Sequence, residues 1–181
     1  MRGEELQLLG WLASHEDESQ SDPLFCLAGT HAKWCRIEDD KLETFGTSIT
    51  GELFALISEH SILVRNDAAT PGQLFDQNSF HAGVDLCLNQ PNALLHKLFS
   101  TRARKLTSPD AAEDCPSYLS GLLIGSCIQN AFDLFGVPSG GVKLVRDPSL
   151  CKHYAYVIER LGRNCRMLDG VHAIHAGFLA L

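Results

Sequence analysis

The chain has 181 residues, 45 % of them hydrophobic and 20 % charged, which is enough apolar material for one sizeable core and points to a single domain over 1–181. The net charge is -7, and the densest basic group, Arg102, Arg104 and Lys105, is too short for the stripe of a nucleic-acid binder. No apolar run approaches the roughly 20 residues that cross a bilayer.

The opening, Met1-Arg2-Gly3-Glu4-Glu5, is acidic and lacks the apolar stretch of a secretory leader, so a cytoplasmic location is the default expectation. The seven cysteines are odd in number, and several stand in apolar runs such as Ser126-Cys127-Ile128. In a reducing compartment they read as small buried hydrophobes. Cys26, His31 and Cys35, and the pair Cys151 and His153, lack the paired spacing of a structural zinc site, so no metal site is expected from them.

Taken in order, Leu6 to Ala13 reads as a short helix behind the acidic pair Glu4 and Glu5, which suits the positive end of the helix dipole. His15 to Asp22 is a polar loop. Leu24 to Ala28 is a compact apolar run read as a buried strand, followed by the turn Gly29-Thr30-His31. Lys33 to Ile37 and Lys41 to Ile49 follow as two more strands, giving an antiparallel meander. Thr50 reads as the N-cap of a helix to about His60.

Helical spacing runs from Gln73 to Phe99, with a break at Pro91, and Ser108-Pro109-Asp110 opens a further helix to about Phe135. Val142 to Val145 is a strand, Pro148 starts a helix to about Leu161-Gly162, and Cys165 to Leu168 is the last strand. Asp169 caps a final helix that runs to Leu181. Three meander strands, a helical block and two strands joined by crossover helices define an α/β fold of the ribonuclease H-like type.

Several segments carry a closer resemblance. Met1-Arg2-Gly3-Glu4-Glu5-Leu6-Gln7, Gly29-Thr30-His31-Ala32-Lys33-Trp34 and Thr50-Gly51-Glu52-Leu53 stand in one order with Phe80-His81-Ala82-Gly83, Leu119-Ser120-Gly121-Leu122-Leu123-Ile124-Gly125 and Asp169-Gly170. This pattern resembles the C-terminal half of the 2-dehydro-3-deoxygalactonokinases, sugar-acid kinases of the actin and hexokinase superfamily. The resemblance implies ATP-dependent phosphorylation of 2-dehydro-3-deoxy-D-galactonate on its 6-hydroxyl, with ATP and Mg²⁺ as cofactors and a small sugar acid as partner.

In such kinases a second, N-terminal lobe brings an Asp-x-Gly-x-Thr phosphate loop, which these 181 residues do not contain. Activity therefore implies that lobe or a homo-oligomer, and the chain alone is expected to be inactive. The alternative is a non-catalytic remnant or pseudoenzyme that binds a sugar acid or a protein partner. No Gly-x-x-x-x-Gly-Lys-Ser/Thr loop is present either, so a Walker-type ATPase is not the route.

Within that resemblance, Gly29 and Thr30 are candidate phosphate contacts through backbone N–H groups and a hydroxyl, with Lys33 adding charge. An ordinary hairpin with a solvated lysine is the other reading of the same residues. His31 either touches ligand or steadies the turn. Thr50 and Gly51 are candidate phosphate contacts at a helix start, against simple capping. Glu4, with Glu5 as substitute, is the candidate base that orients or deprotonates the attacking hydroxyl, and Arg2 a candidate partner of the sugar carboxylate.

Ser149 is a candidate on the nucleotide side. There the family carries a Val-Ala-Gly-x-Ser-Leu turn, while here the strand runs into Arg146-Asp147-Pro148-Ser149-Leu150. Two charged side chains replace small residues, either covering the adenosine surface or, for Arg146, pairing with a phosphate.

Overall fold

Leu24-Phe25-Cys26-Leu27 is apolar at every position because it has neighbours on all sides. In the computed structural model, which describes residues 4–14, 22–39, 41–64, 75–107 and 114–179, this segment is the central strand of a five-stranded sheet. The described residues fall into two units, one built from 1–48 with 131–181 and the other from 49–130.

In the first unit, β1 (Leu24–Leu27) runs antiparallel to β2 (Ala32–Glu38), which pairs antiparallel with β3 (Lys41–Ser48). On its other side β1 is parallel to β4 (Val142–Val145), which is parallel to β5 (Cys165–Leu168). The order is β3-β2-β1-β4-β5. Both β1 and β4 are buried along their whole length, as parallel strands covered on two faces must be. The edge strand β3 is largely exposed. Its Gly46 leaves room for the ring of Phe135, to which a Cβ would come within 2.7 Å.

Helix α1 (Glu5–Ser14) and helix α7 (Gly170–Leu179) pack on each other through glycines. A Cβ on Gly10 would lie 2.6 Å from the amide nitrogen of Gly177, and one on Gly177 would strike the carbonyl of Leu6. This close approach seats Leu8 and Trp11 in the core with Phe25, Leu27, Cys35, Ile37 and Val145. The rings of Trp11 and Phe25 meet edge to face at 4.9 Å. Removing the Phe25 ring would cost about 3–5 kcal/mol. Helix α6 (Pro148–Arg160) makes the crossover between β4 and β5, capped by Asp147.

The second unit is helical. It holds α2 (Thr50–His60), α3 (Gln77–Asn89), α4 (Leu94–Thr107) and most of α5 (Cys115–Phe135), and Ile57, Val64, Leu98, Cys115, Leu119 and Leu123 form one buried cluster in it. Cys87, Tyr118 and Leu122 form another. The break between α3 and α4 falls at Gln90–Ala93, around Pro91 as the spacing predicts, and α4 continues to Thr107. Lys97 is buried and donates to the carbonyl of Cys87 at 3.0 Å, closing the end of α3.

Gly83 of α3 and Gly121 of α5 lie where a Cβ would run into the partner helix, against the carbonyls of Tyr118 and Phe80. Two of the segments that carry the family resemblance are thus helix-crossing contacts.

One expectation is corrected here. Thr50 does not cap α2: Ile49 holds the cap position, with no side-chain cap bond, and its carbonyl accepts from the amide of Leu53 at 2.8 Å. A single residue separates β3 from α2, so Thr50 is already in the first turn, and it is buried. The predicted helix start at Ser108-Pro109-Asp110 lies outside the described residues.

Candidate active site

Strands β1, β4 and β5 point the same way, and Leu27, Val145 and Leu168 stand side by side at their carboxyl ends. At that edge the chain leaves β1 into the Gly29–His31 turn, β4 into Arg146 and Asp147, and β5 into Asp169. The amide of Ala28 donates to Val145 at 3.3 Å, tying the first two exits together. In open α/β sheets the crevice beyond the carboxyl ends is where ligands bind.

Glu4, just ahead of α1, reaches the same place. Its Oε1 lies 2.8 Å from Nζ of Lys33, a pair whose side chains are 13 % and 14 % exposed. The same oxygen is 3.5 Å from Nη2 of Arg146, whose side chain is 47 % exposed. Two cations therefore share one carboxylate. Lys33 stands on β2 opposite Leu27, next to the turn. Two residues further along β2, burial pushes the Cys35 thiol up to about 11, with Lys33 opposing and Glu4 adding to the shift.

Gly29 has a negative-side backbone conformation that any residue can adopt, and a Cβ there would meet the Arg146 guanidinium at 3.8–4.0 Å, an ordinary contact. Gly29 thus sits beside the Arg146 guanidinium and is not itself strained. Arg146 is the reverse case. It holds φ at 132°, a conformation that suits glycine, and does so with a long charged side chain.

The two helix starts at this edge are engaged by their own caps. Asp147 Oδ1 accepts from the amides of Ser149 at 2.9 Å and Leu150 at 3.2 Å, and also from the Ser149 hydroxyl. These bonds hold its carboxyl below the usual range, the Ser149 hydroxyl contributing most. Ser149 thus spends both its amide and its hydroxyl on Asp147. Asp169 Oδ1 accepts from Val171 at 2.9 Å and His172 at 3.1 Å, as the sequence predicts for a cap.

The remaining candidates are placed as follows. Thr30 and His31 are exposed in the turn, and Glu5 is exposed at the start of α1. Thr50 and Gly51 belong to the second unit, at the start of α2. Arg2 lies outside the described residues. Among the described residues no three of His, Cys, Asp and Glu converge as a metal site.

The sequence reading assigned no role to Gln7, which follows Glu4 by three residues and donates its amide to the Glu4 carbonyl at 3.1 Å. Gln7 is buried, its Nε2 lies 2.9 Å from where a Cβ on Gly170 would stand, and its Oε1 has no hydrogen-bond partner among the described residues. That i, i+3 spacing was the one signal available.

The whole chain, 1–181, matches the family model of 2-keto-3-deoxy-galactonokinase. It is 39 % identical over 180 residues to a designated 2-dehydro-3-deoxygalactonokinase of Rhizobium meliloti (strain 1021), covering 99 % of this chain and 58 % of that protein. It is 32 % identical over 181 residues to the 2-dehydro-3-deoxygalactonokinase of Escherichia coli (strain K12), covering 59 % of it.

The crystal structure of a Sinorhizobium meliloti protein assigned to the same activity superposes with a TM-score of 0.84 at 38 % identity, over 99 % of this chain and 58 % of that one. The chain therefore spans less than two-thirds of the length of these relatives.

Proposed function

Because the chain belongs to the 2-keto-3-deoxy-galactonokinase family, we propose that it serves the ATP-dependent phosphorylation of 2-dehydro-3-deoxy-D-galactonate on its 6-hydroxyl, a cytoplasmic step of galactonate catabolism. The strand order β3-β2-β1-β4-β5 supports reading the first unit as ribonuclease H-like, with the helical second unit as its insertion. On that reading 1–181 make up one lobe, the C-terminal one, of a two-lobed kinase.

The observation that carries the proposal is the meeting of Glu4, Lys33 and Arg146 beside the Gly29–His31 turn, at the carboxyl ends of the parallel strands. Phosphoryl transfer needs little covalent help from a protein and depends on position and charge. The open turn at Gly29 offers backbone N–H groups and the Thr30 hydroxyl to the phosphates, and Lys33 neutralises charge on the transferred group. Mg²⁺ arrives with ATP as part of that substrate.

Glu4 orients the 6-hydroxyl and takes its proton as the bond from O6 to the γ-phosphorus forms and the bond to the β-phosphate oxygen breaks. ADP leaves with those electrons. His31, Glu5, Ser149 and Arg2 stay in this reading as further contacts to ATP or the sugar acid.

The test is calorimetric binding of Mg-ATP and of 2-dehydro-3-deoxygalactonate to the 181-residue chain, together with ADP release when both are present. Sugar-dependent ADP release that is lost in Glu4→Gln supports catalysis by the chain itself. Binding without turnover supports a lobe that needs its second phosphate loop. A folded chain that binds neither ligand sinks the proposal and leaves the non-catalytic alternative.

A further inference from the structure

The two cations at the Gly29 turn and the one carboxylate between them form a set whose balance an anion would change. We propose that Glu4 and a nucleotide phosphate compete for Lys33 and Arg146, so that phosphate binding and release of the Glu4 carboxylate are one exchange, with Arg146 a phosphate ligand. The inference rests on the kinase reading above and adds to it a binding residue and a coupling between phosphate and base.

Three observations carry it. First, a single carboxylate oxygen holds both cations, at 2.8 Å and 3.5 Å, leaving the cluster one positive charge in excess. A phosphate group, with more charge and more acceptor oxygens, answers a guanidinium and an ammonium better than half a carboxylate does. Second, the Arg146 guanidinium lies beside Gly29, 3.8–4.0 Å from where a Cβ on that residue would stand, and so at the turn itself. Third, Arg146 keeps a glycine-like φ of 132°. A long side chain in that conformation is costly and persists where the surroundings or the function hold it.

The exchange gives each partner a task in sequence. While Lys33 and Arg146 hold Oε1 of Glu4, that oxygen is engaged by them and not by a substrate hydroxyl. Once phosphate takes the cations, the carboxylate is released beside the group to be transferred. Binding linkage makes the effect reciprocal: removing the charge of Glu4 must strengthen phosphate binding.

The measurement is titration of inorganic pyrophosphate into the full 181-residue chain and into Glu4→Gln, Arg146→Ala, Arg146→Gly and the double variant Glu4→Gln/Arg146→Ala. Circular dichroism checks that each is folded. Glu4→Gln is expected to bind pyrophosphate about tenfold more tightly, and both Arg146 variants about tenfold more weakly, as for one charge-assisted contact. The gain from Glu4→Gln should shrink when Arg146 is Ala.

If Glu4→Gln binds no more tightly, the exchange is wrong while the phosphate reading of the turn stands. Tighter binding by the Arg146 variants makes Arg146 a plug over the site and overturns the inference. If none of the chains binds pyrophosphate, the inference fails together with the nucleotide side of the proposed function.

Discussion

Lys33 and Glu4 are paired at 2.8 Å across 29 positions of sequence, joining the start of α1 to the second strand of the sheet. With both side chains mostly buried, the pair is held more tightly than a surface ion pair. Lys33→Met leaves Glu4 with its longer contact to Arg146, and is expected to lower unfolding free energy by about 1–2 kcal/mol. Adding Glu4→Gln should then cost less than it does alone, with a coupling of about 1 kcal/mol in a double-mutant cycle. Urea unfolding of the four proteins checks this, and strictly additive losses would show that the pair contributes nothing to stability.

Much of the architecture could be read before the structure. The unbroken apolar run Leu24–Leu27 announced a strand covered on two faces, and Asp169 announced its helix by side-chain chemistry alone. Six of the seven cysteines are buried, as their apolar neighbourhoods implied.

What could not be read depends on contacts far apart in sequence or on backbone angles that side chains do not advertise. Nothing in Arg146-Asp147 signals a glycine-like φ, and nothing at Glu4 names Lys33 as its partner. Thr50 has the chemistry of a cap, but the short passage from β3 places it one residue too far into the helix to act as one.

The glycines at the helix crossings give a second prediction. Alanine is favoured over glycine in a helix by about 1 kcal/mol, so Gly→Ala in the middle of a helix ordinarily stabilises. At Gly10 and Gly83 the added methyl would strike partner backbone, at Ala173 and at Tyr118. Backbone cannot rotate out of the way as a side-chain tip can, and overpacking of this kind costs about 1–3 kcal/mol. Gly10→Ala and Gly83→Ala should each therefore destabilise the protein, by up to about 2 kcal/mol in net terms. A rise in the thermal midpoint of either variant would mean that the helices are not in such close contact.

Arg146 gives a third. Its φ of 132° is strained for any residue with a Cβ, by about 1–3 kcal/mol. Glycine removes that strain and returns part of the gain by loosening the unfolded chain, by about 0.4–1 kcal/mol. The net expectation is that Arg146→Gly stabilises by about 1 kcal/mol, whereas Arg146→Ala, which keeps the strain and loses the contact to Glu4, does not. Urea midpoints of the two variants decide it. Equal effects from Gly and Ala would place the cost in the lost side chain and not in the backbone.

The capping aspartates give a pH dependence whose sign follows from their bonds. Asp169 accepts two backbone N–H bonds at the head of α7, the bond from His172 acting most strongly, and its carboxyl is held below the usual range in the folded state. Asp147 is lowered in the same direction at the head of α6, chiefly by the Ser149 hydroxyl.

A carboxyl whose folded pKa is depressed contributes stability that is present above its unfolded pKa and is lost as pH falls through the folded one. The protein should therefore lose stability on acidification below about pH 4, where unfolded aspartates begin to take up protons ahead of the folded caps. Asn keeps the side-chain oxygen that accepts the cap bonds but does not titrate. Asp169→Asn should accordingly resemble the parent near neutral pH and show a shallower loss in acid, read from urea midpoints between about pH 6 and pH 3. An unchanged acid slope would mean that the cap bonds at Asp169 do not distinguish its charged form from its neutral one.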